Sequence, residues 1–242
     1  MNYMEIILCV PGNWNDKIEI IKLIVDSTSK EYLFTGNTII YLPSNTVFQI
    51  DVCMADERMK NSFFYAGQGR LSEQELNDID QHNLVVYIIG KGGNPDNALK
   101  IMRIAQIFLN IGGLGVKVET CGKAFNKTQW NNILLEDIPI ILYEVFVIFL
   151  YTNKNEVYTC GMHNIGMRDI ICNTVLSMET TIDLMKTFIF YQLIDKPIIN
   201  ANEIFRQEYN SQPYRISIED CYIYNSEDLF YNPFGLYRLI KV

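Results

Sequence analysis

The 242-residue sequence predicts an α+β fold, with one mixed β-sheet or two related sheets covered by helices. Three observations predict it. Apolar runs of strand length alternate with segments of helical periodicity through residue 136, and strand-like runs predominate after it. Helix-start and helix-stop signals separate the two kinds of segment. The chain therefore divides into an N-terminal α/β half, residues 1–136, and a C-terminal α+β half, residues 137–242, expected to pack closely as one globular unit.

Met4 to Val10 is an apolar run that stops at Pro11-Gly12 and reads as a strand; no basic segment precedes it, so export is not expected. In "NWNDKIEIIKLIVDST" Ile18, Ile21, Ile24 and Val25 stand at helical spacing behind Asn15 or Asp16 as cap. "TIIYLPSNTVFQIDV" reads as two strands around a Pro-Ser-Asn turn, with Phe48, Ile50 and Val52 on one face. Ser72 and Glu75 form a capping box, and Leu71 and Leu76 take the positions of a hydrophobic staple. "LVVYIIG" (84–90) is a buried strand, the next helix starts at Asn94-Pro95 and is stopped by Gly112 and Gly113, and "GVKVET" is a further strand. If the two strands share a sheet they run parallel, joined by a right-handed crossover. A short helix from Thr128 to Leu135 closes the half.

The second half predicts strands at 140–151, 156–161 and 168–172, then the helix "METTIDLMKTFIFYQLID", ended by Lys196-Pro197. Strands follow at "PYRISIED", "CYIYN" and "LYRLIKV". The apolar run 138–151 carries Glu144 and is shorter than the roughly 18 residues of a spanning helix, so no membrane partner is expected. In a strand, Glu144 needs an edge or a cation.

Lys and Arg total 20 against 28 Asp and Glu, a net charge of -8 with no run of three basic residues. Nucleic acid is an unfavourable ligand for such a surface, and a basic protein a favourable one. Six cysteines without a C-x-x-C pair, and only two histidines, predict neither a metal site nor a structural disulfide; they suit a reducing cytoplasm. No cofactor motif stands out: "GKGGNPD" (90–96) has Pro95 where a dinucleotide loop needs glycine and is explained as a turn.

The candidates for chemistry are few. Thr-Cys-Gly occurs at 120–122 and again at 159–161, each time after a valine-bearing strand, and a worn duplication is left open. Cys160 and His163 could be nucleophile and base, with Asn164 or Asp169 to orient the imidazole; alternatively Cys160 is a buried thiol at a strand end. Glu119, Lys123, Trp130 and His163 could line a cleft at strand ends. From Tyr209 on, six of the fifteen tyrosines lie among acids; Tyr222, Tyr224, Tyr231 and Phe234 with Glu227 and Asp228 could form a face for a basic partner or serve as core edges.

"PGNW", "GGLGVKVETCGKAF" followed by "TQW", "YTCGMHNIGMRD" and "DLFYNPFGLYRL", in this order, resemble the bacterial family catalogued as domain of unknown function 4261. The resemblance spans nearly the whole chain and implies no reaction, cofactor or catalytic residue. Two functions are expected from these features. One is a non-enzymatic cytoplasmic binding protein, of the immunity or antitoxin kind, that neutralises a basic toxin. The other is a hydrolase or transferase with a cleft around Glu119, Cys160 and His163.

Overall fold

The structure, a computed structural model, describes residues 4–27, 31–173 and 177–242. The chain splits into two compact units, Met1–Glu136 and Asp137–Val242. The fold class is α+β, with one sheet in each unit.

In the first unit the order is β1 (Glu5–Gly12), α1 (Lys17–Ser27), β2 (Tyr32–Phe34), β3 (Thr38–Tyr41), β4 (Thr46–Met54), α2 (Met59–Gly67), α3 (Glu73–Asp80), β5 (Leu84–Lys91), α4 (Pro95–Asn110), β6 (Gly115–Val118), β7 (Lys123–Asn126) and α5 (Lys127–Ile133). The sheet runs β2-β3-β4-β5-β1-β6-β7, with antiparallel neighbours throughout. β5 and β6 both pair antiparallel with β1 and are therefore parallel to each other, as the sequence predicts for strands sharing a sheet. Alternation along the strands divides the core. Cys9 and Val85 pack with Met59, Phe63, Leu76 and Ile79 of α2 and α3, while on the opposite face Ile101 of α4 stands beside Phe48 and Gly90. The capping box holds: Glu75 N–H donates to Ser72 Oγ, the Ser72 N–H donates to the Glu75 carboxylate, and Leu71 and Leu76 share one cluster. Asn94 caps α4 with Pro95 behind it.

In the second unit the order is α6 (Ile138–Phe146), β8 (Ile148–Tyr151), β9 (Glu156–Cys160), β10 (Asp169–Asn173), α7 (Met178–Ile194), β11 (Ile204–Phe205), β12 (Tyr214–Glu219) and β13 (Leu236–Lys241). The sheet runs β11-β12-β13-β10-β9-β8, and only β10 and β13 are parallel. α7 covers one face, where Phe188 meets Phe205 and Tyr237. The other face, Ile148, Tyr158, Cys160, Ile171 and Leu236, is covered by Ile223, Tyr224 and Phe230 from the β12–β13 loop.

Two predicted strands are corrected. Residues 138–146 form a helix with Pro139 in its first turn, and the buried pairs Ile141/Val145 and Leu142/Phe146 are four residues apart, a helical and not a two-residue repeat. Glu144 is thus half-buried on a helix flank. "CYIYN" is loop, its side chains used to roof the sheet rather than to extend it. Among the described residues no helix is long and apolar enough to cross a membrane.

Candidate functional site

The second unit holds a buried polar cluster built around Asp169 at the start of β10. The side chain is buried, and three donors from three segments converge on it. Thr159 Oγ1 of β9 donates to Oδ1 at 3.0 Å, the Met162 N–H of the following 3-10 turn donates to the same oxygen at 3.3 Å, and Asn232 Nδ2 donates to Oδ2 at 2.7 Å. Thr159 Oγ1 in turn accepts from the Ile170 N–H at 2.8 Å. Asn232 is fixed by donating to the Met167 carbonyl at 2.9 Å and accepting from the Phe234 N–H at 2.9 Å. Among the described residues no salt bridge reaches Asp169. Burial pushes its carboxyl up to about 7, against the three hydrogen bonds that stabilise the carboxylate.

His163 lies in the 3-10 turn, Met162–Ile165, with both ring nitrogens buried. Neither forms a hydrogen bond of ordinary geometry; the Leu229 backbone is close enough to favour the cation slightly, and burial outweighs it, lowering the imidazole to about 4. His163 is therefore neutral at pH 7. The alternative reading of Cys160 and His163 as a nucleophile–base couple lacks the hydrogen bond that it needs. Cys160 ends β9, buried, and adjoins the Tyr224 hydroxyl instead. The repeated Thr-Cys-Gly has a local explanation. Cys121 and Cys160 are both buried, and the glycines after them, Gly122 (φ 74°) and Gly161 (φ 103°), turn the chain through a left-handed conformation that residues with a Cβ rarely adopt.

The other cleft candidates belong to the first unit. Glu119 follows β6 and pairs with Lys117 at 2.7 Å. Lys123 starts β7, buried, its Nζ 5.8 Å from the centre of the Phe125 ring. Trp130 is fully buried, edge-on to Phe125 at 5.7 Å, and donates to the Met102 carbonyl at 3.3 Å, so it is a core residue and offers no cleft wall.

The tyrosine-rich segment divides. Tyr224 and Tyr231 are half-buried, and Tyr224 hydrogen-bonds Tyr158 hydroxyl to hydroxyl at 2.9 Å. Tyr222 is 57% exposed with its hydroxyl on Arg238, and Phe234 is 37% exposed. Glu227 and Asp228 are exposed, Asp228 accepting from the Asn225 N–H at 2.9 Å. Arg238 itself is held by Glu156 at 2.7 Å and Glu219 at 2.8 Å. Asn232, which ties this loop to Asp169, had no sequence signal beyond its place in "YNPFG".

Among the described residues no group of three or more His, Cys, Asp or Glu side chains could hold a metal ion. Comparison with family models, with curated proteins and with solved structures finds no match to this chain.

Proposed function

We propose that the chain is a non-enzymatic protein-binding protein whose recognition surface is the loop between β12 and β13, and whose partner is a basic protein of the kind that an immunity or antitoxin-like protein neutralises. One observation carries this reading. Ile223, Tyr224 and Phe230 hold the loop onto the sheet, and Asn232 fastens it to Asp169, which leaves Tyr222, Leu229 and Phe234 exposed alongside Asp220, Glu227 and Asp228. A loop fixed from beneath loses little entropy on binding, and exposed aromatic side chains can bury area at modest rotamer cost. Negative charge around them, on a chain of net charge -8, speeds the approach of a cationic partner.

Membership of the bacterial family it resembles and a cytoplasmic setting belong to the same proposal; six cysteines, none of them in a disulfide among the described residues, suit a reducing compartment. The test is a pull-down from the native host with mass spectrometry, comparing the wild type with a Tyr222→Ala/Phe234→Ala double variant. The expected result is a basic protein retained by the wild type, less so as salt rises, and lost from the variant through faster dissociation, each anchor being worth about 2 kcal/mol or more. Equal recovery by both proteins would place the interface elsewhere.

A further inference from the structure

The first unit carries a separate site. α2 and α3 cover only part of their face of the sheet, packing over Cys9 and Val85, and toward β3 and the start of β1 the same face is open. Here a groove of about 660 Å³ crosses β3, β4, β5 and β1. The register places Gln49 between Thr38 and Ile89, and Glu5 opposite Lys91. Val47, Gln49 and Asp51 alternate on β4, so all three side chains enter from one face. We propose that this groove reads an arginine side chain presented by a protein segment.

The charges select the ligand. Lys91 stands across the strand pair from Glu5, a register in which opposite charges offset each other. Asp51 has no such counterpart: among the described residues both its oxygens accept only from the Gln49 amide, at 3.2 and 2.9 Å, and no cation bridges to it. A half-buried carboxylate without a cation, at one end of a groove floored by Ile89 and Val47, fits a planar guanidinium on an aliphatic stem. An anionic ligand would meet two carboxylates against one lysine. An added β-strand is excluded on this face, because β4 is paired on both sides, with β3 and β5, and its ladder groups are already used. A second copy of the chain brings net charge -8 and is disfavoured. The site lies in the first unit and stands or falls independently of the β12–β13 loop.

The experiment is a titration of the ¹⁵N-labelled full chain with acetyl-Gly-Arg-Gly-amide, with its citrulline counterpart, which keeps the shape and removes the charge, and with free arginine. The arginine peptide should give saturable shifts confined to residues 47–51 and 89–91. The citrulline peptide should bind at least about tenfold more weakly, and Asp51→Asn should weaken the arginine peptide by a similar factor while leaving amides outside the groove unmoved. Equal binding of the two peptides, shifts elsewhere or none that saturate, or an unaltered affinity in Asp51→Asn would overturn the inference. Free arginine binding more tightly than the peptide would overturn the protein segment as occupant. If Asp51→Asn failed to fold, the two peptides on the wild type would still decide.

Discussion

Asp169 and His163 should give the second unit two opposed pH dependences that hide each other. The folded Asp169 carboxyl sits at about 7, above its ordinary 3.8, so the native state binds the proton more tightly than the unfolded chain does. The stability this confers is complete below pH 3.8 and is lost as pH rises through about 7. His163 behaves in the opposite sense. Its folded value of about 4 lies below the ordinary 6.5, so its contribution is present above pH 6.5 and is lost as pH falls through about 4. One pKa unit corresponds to about 1.4 kcal/mol, which makes the two contributions roughly 4 and 3 kcal/mol. Between pH 4 and 6.5 their slopes, about -1.4 and +1.4 kcal/mol per pH unit, nearly cancel.

Single substitutions should expose them. Asp169→Asn removes the falling slope, so its stability relative to wild type should rise by about 1.4 kcal/mol per pH unit from pH 4 to 7. It also carries a pH-independent loss of about 1–3 kcal/mol, because the new amide presents a donor to Asn232 Nδ2, whose orientation is fixed by Met167 and Phe234. His163→Leu removes the rising slope, and its relative stability should fall by a similar amount per unit from pH 4 to 6.5. Urea unfolding followed by circular dichroism at closely spaced pH values is the assay, read as variant minus wild type so that other titrating groups cancel. Tryptophan fluorescence reports the first unit alone, since Trp14 and Trp130 both lie there. Asp169→Asn and wild-type curves that run parallel in pH would refute the reasoning.

Iodoacetamide should label exposed Cys53 first and half-buried Cys221 next in the native protein, with Cys160, Cys9, Cys121 and Cys172 labelled only after denaturation; burial also pushes the Cys172 thiol up to about 11. Peptide mapping by mass spectrometry checks the order, and rapid labelling of Cys160 in the native protein would contradict its structural role. Gly235→Ala should destabilise by at least about 2 kcal/mol, measured as a lowered urea midpoint, because Gly235 has φ 86° and a Cβ there would lie 2.3 Å from the Glu219 carbonyl oxygen.

Local signals in the sequence were reliable where one residue type has one use. The capping box at Ser72 and Glu75 and the Asn94-Pro95 start were legible because each satisfies backbone donors in a way few other residues can. Residues 140–146 were misread as strand because all of them except Glu144 are apolar, so neither a two-residue nor a helical period is distinguished, while 148–151 form β8 as expected; Pro139 was the available cue for a helix start. β2 and β11, at three and two residues, are too short to show a period. Spacing alone left Cys160 and His163 between a reactive pair and a buried thiol at a strand end, because it does not report that the imidazole lacks a hydrogen bond to sulfur.

The tyrosine-rich loop illustrates the limit most directly. A strand or helix sorts its side chains by a fixed period, but residues 220–235 have neither, so composition could say only that aromatics and acids were present. What sorts them is contact with the rest of the fold. Tyr224 faces inward because its hydroxyl meets Tyr158 and its ring meets Phe230, and Tyr222, two residues earlier, stays outside on Arg238. The same contacts bring the buried acid and the exposed aromatics into one structure. Asn232 bonds Asp169 from below, two residues before Phe234, and that bond is charge-assisted only while Asp169 is ionised. The carboxylate therefore has two opposed effects within one unit: its burial lowers the stability of the fold above about pH 7, and in the same range it strengthens the tie that positions Phe234.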